Sequence, residues 1–230
     1  MIAAMAPRAI LLDALGTLLT IDEPAPRLVE LLRERHAVEV TPARAARALQ
    51  AEMRYYREHC VRAADAERLA QLRLECAAIV ARELGGAVAE LAPQSLLPTL
   101  LDSLRFVAFP EVAGALERWR AAGARLVVAS NWDISLHAVL RETGLLDRLD
   151  AVVTSAEVGA SKPSGELFAA ALALAGVEAW QAAHIGDSLS EDVQGATAAG
   201  IEAVWLRRTN HSDDLAAAPD VRIIATLDEF

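Results

Sequence analysis

The sequence predicts a doubly wound α/β fold on a parallel sheet, interrupted near its start by an all-helical insertion. Three observations lead there. An apolar, strand-like run stands at Ile10–Leu12. From about residue 27 to residue 104 the chain is rich in Ala, Leu, Arg and Glu and shows no strand alternation. Beyond it, apolar strands and helices alternate, as right-handed βαβ units require.

The elements follow in order. ILL (10–12) reads as a buried parallel strand. Asp13 stands where it ends, and Gly16-Thr17 supply turn chemistry just beyond. Residues 18–24 read as a turn-rich exit ending in EPAP. The helical stretch breaks at HAVEVTP (36–42), at Gly85-Gly86, at Pro93 and at Pro98, which divides it into about four helices. After Phe109-Pro110 comes a helix over 111–122, closed by Gly123. A strand at 126–130 and a helix at 133–143 follow, then a strand at 150–155 and a helix at 164–175. A strand at 182–187, a helix at 190–199, a strand at 202–206 and a short strand at 221–225 complete the chain. Because the first strand belongs with the later group, the core is assigned to 1–20 and 105–230 and the insertion to 21–104.

Composition narrows the function. The chain has 230 residues, 54% of them hydrophobic, enough for a large core. A formal net charge of −10 argues against nucleic acid, whose phosphates call for a basic surface. No apolar run is long enough to span a membrane, and MIAAMAPR is too short and poorly patterned for a signal peptide. Cys60 and Cys76 have no metal-ligand spacing and read as free buried thiols in a reducing compartment. A cytoplasmic protein, monomeric or homodimeric, is expected. Arginine carries nearly all the positive charge, and Lys162 is the only lysine. A compact ammonium acts as a point charge in a tight phosphate site, where a guanidinium would not substitute for it.

Four segments place polar residues at or after predicted strand ends: Asp13, Ser130-Asn131, Lys162-Pro163, and Gly186-Asp187 with Asp192. In a parallel sheet those ends share one edge, so the four sets can converge. Singly, each has a plain structural role. Asp13 suits a turn, Ser130 and Asn131 suit helix capping, and Lys162 suits a solvated surface. Asp187 suits turn amides, Asp192 suits a helix N-terminus, and His184 suits the core. Together they make coherent chemistry. Asp13 and Asp187 suit Mg²⁺, which takes carboxylates plus substrate phosphate. Ser130, the amide of Asn131 and Lys162 offer donors and a positive charge to phosphoryl oxygens. Asp13 is placed to attack phosphorus and form an aspartyl-phosphate, with Asp192 orienting Lys162 or metal-bound water.

These residues resemble the four motifs of the haloacid dehalogenase superfamily of hydrolases. DALGT is similar to motif I, SN to motif II, SKP to motif III and GDSLSED to motif IV. The resemblance spans the chain and implies a Rossmann-like core with a helical cap inserted after the first strand. It implies Asp13 as nucleophile, Ser130 and Lys162 as its catalytic partners, and Mg²⁺ held by Asp13, Asp187 and the backbone carbonyl of Leu15. Ser130, Asn131 and Lys162 would bind phosphate, with Ser188 and Asp192 behind them. The implied substrate is a small phosphorylated metabolite.

The departure is Leu15. Phosphatases of this family carry there a second Asp, which protonates the leaving oxygen and later activates water. General acid–base help of that kind contributes about 10²–10⁴ in rate. A good leaving group, or a proton from the cap, where Tyr55, Tyr56 and His59 are candidates, would compensate. DALGT is also similar to the DAYGT of 2-haloacid dehalogenases, whose Asp attacks carbon without metal, but those enzymes lack the acidic pair matched here by Asp187 and Asp192. Phosphonate hydrolases need a cap lysine, which is missing here. The remaining alternative is a catalytically weakened protein of the same family that binds a phosphorylated ligand.

Overall fold

The computed structural model describes residues 6–208 and 221–230. The N-terminal residues 1–5, part of the segment read as lacking a leader, lie outside the described residues. The chain runs through β1 (Ala9–Leu12), β2 (Leu19–Ile21), α1 (Pro24–His36), α2 (Pro42–His59), α3 (Ala66–Leu84) and α4 (Pro93–Ser103). It continues through β3 (Phe106–Ala108), α5 (Val112–Ala121), β4 (Arg125–Ser130), α6 (Leu136–Glu142), β5 (Ala151–Thr154), α7 (Ser155–Val158) and α8 (Gly165–Ala175). Last come β6 (Ala182–Gly186), α9 (Gln194–Ala198), β7 (Glu202–Leu206) and β8 (Arg222–Ile224).

Six parallel strands form one sheet in the order β5-β4-β1-β6-β7-β8. β1 is central, with Leu12 in register with Val128 on one side and Ile185 on the other. All four β1 residues are buried, as a strand covered on both faces must be. Period-two alternation divides them. Ile10 and Leu12 pack with Val112, Leu116 and Trp119 of α5 and Leu136 and Leu140 of α6. Ala9 and Leu11 pack with Leu167, Phe168 and Ala171 of α8. This two-sided burial makes the sheet doubly wound, and the direction of strand order reverses beside β1.

The four long helices of the insertion share a second hydrophobic core, including Leu28, Leu32, Leu72, Val80, Leu96 and Leu100. Local chemistry sets their ends. The Thr41 side chain accepts from the Arg44 N–H at the start of α2, and Asp65 does the same for Arg68 at the start of α3. Pro98 does not break the chain as expected but lies inside α4. Burial of Leu96 and Leu100 on either side of it outweighs the one backbone hydrogen bond it removes.

Three other expectations shift. The exit at 18–24 contains β2, which pairs antiparallel with β3 (Leu19 with Ala108, Ile21 with Phe106). Strands of three residues are too short to show periodicity. The resulting ribbon joins the helical insertion to the sheet at both its ends. The helix expected from 133 starts at Leu136, because Asp133 Oδ1 accepts the Ser135 N–H (2.6 Å) and holds a turn. The helix expected over 190–199 is split into a π-helical turn at Leu189–Val193 and α9.

Leu96 is fully buried in the second core. Leu96→Ala is expected to cost about 2–5 kcal/mol in urea unfolding, the range for a core leucine that leaves a cavity.

Candidate active site

The residues singled out in sequence meet at the carboxyl edge of the sheet. The Asp13 N–H donates to the Ile185 carbonyl (3.0 Å), which sets its side chain at the switch point between β4 and β6. Ser130 closes β4 and Asp187 follows β6. Lys162 arrives on the loop between α7 and α8, pinned by Asn131. The Asn131 Oδ1 accepts from the Lys162 N–H (2.7 Å) and its Nδ2 donates to the Lys162 carbonyl (3.0 Å). The same Nδ2 reaches Glu191 Oε2 (3.2 Å). The Asn131 side chain is therefore spent on the scaffold, which leaves its backbone amide for a ligand. Neither Ser130 nor Asn131 caps α6.

Asp13 Oδ1 accepts from Ser130 Oγ (3.0 Å) and from Lys162 Nζ (2.6 Å). Lys162 Nζ also donates to Asp192 Oδ1 (2.5 Å), the atom shared with His184 Nε2 (2.9 Å). The Ser188 N–H donates to Asp192 Oδ2 (2.9 Å), so both oxygens of Asp192 are occupied. Asp13 is 7% exposed, Lys162 3% and Asp192 1%, so this charge lattice is buried. Among the described residues no hydrogen bond reaches Asp13 Oδ2.

Two glycines make the closeness possible. A Cβ on Gly16, whose φ is +91°, would stand 2.2 Å from Asp187 Oδ2. A Cβ on Gly186 would stand 2.1 Å from Asp192 Cγ. Arg208 secures the turn beneath: its Nε donates to the Gly16 carbonyl (3.1 Å) and its Nη2 to the Thr17 carbonyl (2.7 Å). Nη1 of Arg208 pairs with Glu111 (2.5 Å). Sequence reading missed Arg208, whose local surroundings carry no motif, and gave no role to Glu191, although it lies inside GDSLSED. It took His184 for a core residue, and His184 indeed lies in the core, but it also braces Asp192.

Three carboxylates here share one ammonium. Burial alone would push Lys162 down, but the charges of Asp13 and Asp192 and their hydrogen bonds outweigh it and hold its pKa above the ordinary value. Burial would raise Asp192, yet Lys162 and then His184 hold it well below the carboxylate range. Asp13 is raised, because desolvation exceeds the pull of Lys162 and Asp192 adds repulsion. Desolvation at the cavity floor, then the charges of Asp13 and Asp192, push Asp187 up to about 7. Oxygens of Asp13, Asp187 and Asp192 lie within 4.8 Å of one another. Such a cluster is short of positive charge and rich in hard oxygen donors, which fits a divalent cation such as Mg²⁺.

A cavity of about 360 Å³ opens between this edge and the helical insertion. Leu15, Trp132 and Phe106 line it from one side, and Glu52, Tyr56 and Leu72 from the other. Tyr56 donates to Asp133 Oδ2 (2.9 Å), and burial raises its pKa well above the ordinary phenol value, so it is a poor acid. Tyr55 instead donates to Glu75 (2.7 Å) and stacks on His59 with ring centroids 3.9 Å apart.

Residues 7–200 match the family model described as haloacid dehalogenase-like hydrolase. Phosphoserine phosphatase of Thermus thermophilus is 34% identical over 144 residues, 62% of this chain and 58% of that protein. The chain thus spans little more than half of that relative. A haloacid dehalogenase phosphatase from Thermococcus onnurineus superposes with a TM-score of 0.64 at 26% identity, covering 96% of this chain and 95% of that one. A 2-haloacid dehalogenase from Pseudomonas syringae shares the fold, with a TM-score of 0.65 at 24% identity over 97% and 96% of the two chains.

Lys162→Met would leave Asp13 and Asp192 buried without their cation. Its expected cost at neutral pH is about 3–5 kcal/mol in urea unfolding. Asp192 is depressed in the folded state, so the stability it draws from Lys162 is complete above the unfolded carboxylate pKa of about 4. That stability drains away as pH falls toward the depressed value, so the gap between wild type and Lys162→Met should narrow in acid.

Proposed function

The chain belongs to the haloacid dehalogenase-like hydrolase family, and from that membership we propose a Mg²⁺-dependent phosphatase acting on a small phosphorylated molecule. The observation that carries the proposal is the ammonium of Lys162 held between Asp13 and Asp192, with Asp187 beside them at one sheet edge. The phosphatase name of the Thermus thermophilus relative supports it. In this reading the helical insertion is the cap, and its movement against the core admits substrate. The setting proposed is the cytoplasm, supported by two free buried cysteines.

Asp13 Oδ2 attacks phosphorus while Ser130 and Lys162 fix Oδ1, so the nucleophile is oriented before substrate enters. The bond from phosphorus to the leaving oxygen breaks and that oxygen keeps the electron pair. An aspartyl-phosphate results. Water then attacks phosphorus, the bond to Asp13 breaks, its electrons return to the carboxylate, and the water's proton passes to phosphate or solvent. Lys162 and the Asn131 backbone amide stabilise the phosphoryl oxygens. Asp13, Asp187 and the Leu15 carbonyl would hold Mg²⁺, which when bound supplies charge neutralisation for the transferring group. Asp192 and Ser188 keep Lys162 aimed.

The side chain of Leu15 donates no proton to the leaving oxygen. The reading therefore favours substrates whose leaving oxygen is stable as an anion, such as acyl or aryl phosphates. Asp13→Asn is expected to abolish Mg²⁺-dependent hydrolysis of acetyl phosphate and p-nitrophenyl phosphate. Turnover near wild type would reject Asp13 as nucleophile. Halide released from 2-chloropropionate without metal would replace the phosphatase with a dehalogenase. Leu15→Asp is expected to raise alkyl phosphate hydrolysis by up to about 10²–10⁴ and to leave acetyl phosphate hydrolysis little changed, as assayed by phosphate release.

A further inference from the structure

Glu52 breaks the pattern of its own helix. The buried stripe of α2 runs Ala45, Ala48, Leu49 and then Glu52, where the spacing calls for another apolar residue. Glu52 is 4% exposed. A glutamate that deeply buried is ordinarily paired, yet among the described residues its Oε2 has no hydrogen-bond partner. Its polar neighbour is the thiol of Cys76. A residue chosen for stability alone would be a leucine or methionine here, because an unpartnered buried polar atom is destabilising. Glu52 also lines the cavity that holds Asp13 and Leu15, from helix α2 of the insertion. Positions that violate the folding pattern and face a cavity are where binding function is expected.

We propose that Glu52 is a specificity-determining residue whose carboxyl hydrogen-bonds an acceptor oxygen on the leaving-group portion of the substrate. The substrate class follows from three features of the cavity. The phosphoryl group meets Asp13, the leaving oxygen departs beside Leu15 without a proton, and the body of the leaving group packs among Leu72, Leu100, Phe106, Trp132 and Val139. An aryl phosphate bearing a carbonyl, ether or hydroxyl oxygen satisfies all three. Burial raises the Glu52 pKa and so favours the protonated form that donates such a bond. The aryl phosphate class rests on the phosphatase reading. The role of Glu52 is tested both with it and apart from it.

The experiment compares full-length wild type, Glu52→Gln and Glu52→Leu on ortho-, meta- and para-acetylphenyl phosphate, each against the matching ethylphenyl phosphate. The ethyl group fills nearly the same space without the oxygen. Comparing the acetyl-to-ethyl ratio of kcat/KM between variants cancels the different acidities of the phenols. For at least one isomer the ratio should fall about tenfold in Glu52→Leu and stay within about threefold in Glu52→Gln, which keeps a donor. Raising the pH should erode the wild-type ratio as Glu52 ionises and leave that of Glu52→Gln flat. Ratios within about twofold of wild type in Glu52→Leu for all three isomers overturn the assignment.

Calorimetry with the free acetylphenols and ethylphenols repeats the comparison without phosphate. If no ester and no acetyl phosphate is hydrolysed, the phosphatase reading fails, and the calorimetric preference alone decides Glu52. Equal preferences in all three proteins overturn the assignment. Unfolding supplies a separate readout. A carboxyl with a raised folded pKa loses its stability contribution as pH rises through that value. Glu52→Leu should therefore melt above wild type, by a margin that widens with pH. Melting below wild type at every pH would mark Glu52 as a structural partner and overturn the proposal.

Discussion

Lys162 Nζ lies 2.6 Å from Asp13 and 2.5 Å from Asp192, with all three side chains buried. Removing two carboxylates and an ammonium from water is costly, and only their mutual attraction and the bonds from Ser130, Ser188 and His184 offset it. The groups must therefore stay together or not be buried at all. The surrounding structure serves this requirement. Asn131 grips the loop that carries Lys162 at both its N–H and its carbonyl. Gly186 makes room for Asp192, and Gly16 makes room for Asp187. A site fixed this firmly is arranged before any ligand arrives, which is what phosphoryl transfer asks of a protein.

The positive charge is nonetheless insufficient. One ammonium cannot neutralise three carboxylates, and desolvation first, with repulsion from the neighbouring carboxylates added to it, raises the pKa values of Asp13 and Asp187. The carboxylate best satisfied by the protein, Asp192, is also the one held lowest. The lattice thus separates a carboxylate saturated by protein donors from two that retain capacity for a cation and a substrate. That division of labour follows from which oxygens are occupied.

The cavity imposes a second constraint. Its floor is charged and much of its wall is apolar, with Leu15 at the point where the two meet. A leucine there presents an apolar surface beside Asp13 and offers no proton from that position. The helical insertion supplies the opposite wall from a hydrophobic core of its own. The wall opposite the sheet edge is therefore carried by a layer tied to the sheet through the short β2–β3 ribbon and by the Tyr56–Asp133 bond.

The sequence alone determined the order and type of the main elements. Alternation of apolar strands with glycine-terminated helices has a period and an end signal, both local properties of the chain. Strand-end placement likewise made Asp13, Ser130, Lys162, Asp187 and Asp192 legible, because in a parallel sheet all carboxyl ends face one way. The tertiary structure decided what depends on neighbours distant in sequence. The three-residue strands β2 and β3 exist only through each other. Arg208 becomes meaningful 192 residues from Gly16. Asn131 turned from a helix cap into a staple for Lys162, and Glu52 became a buried acid with one oxygen unpartnered among the described residues only when the helices packed. Periodicity is written along the backbone, whereas the burial of a charge and the identity of its partner are properties of the folded volume.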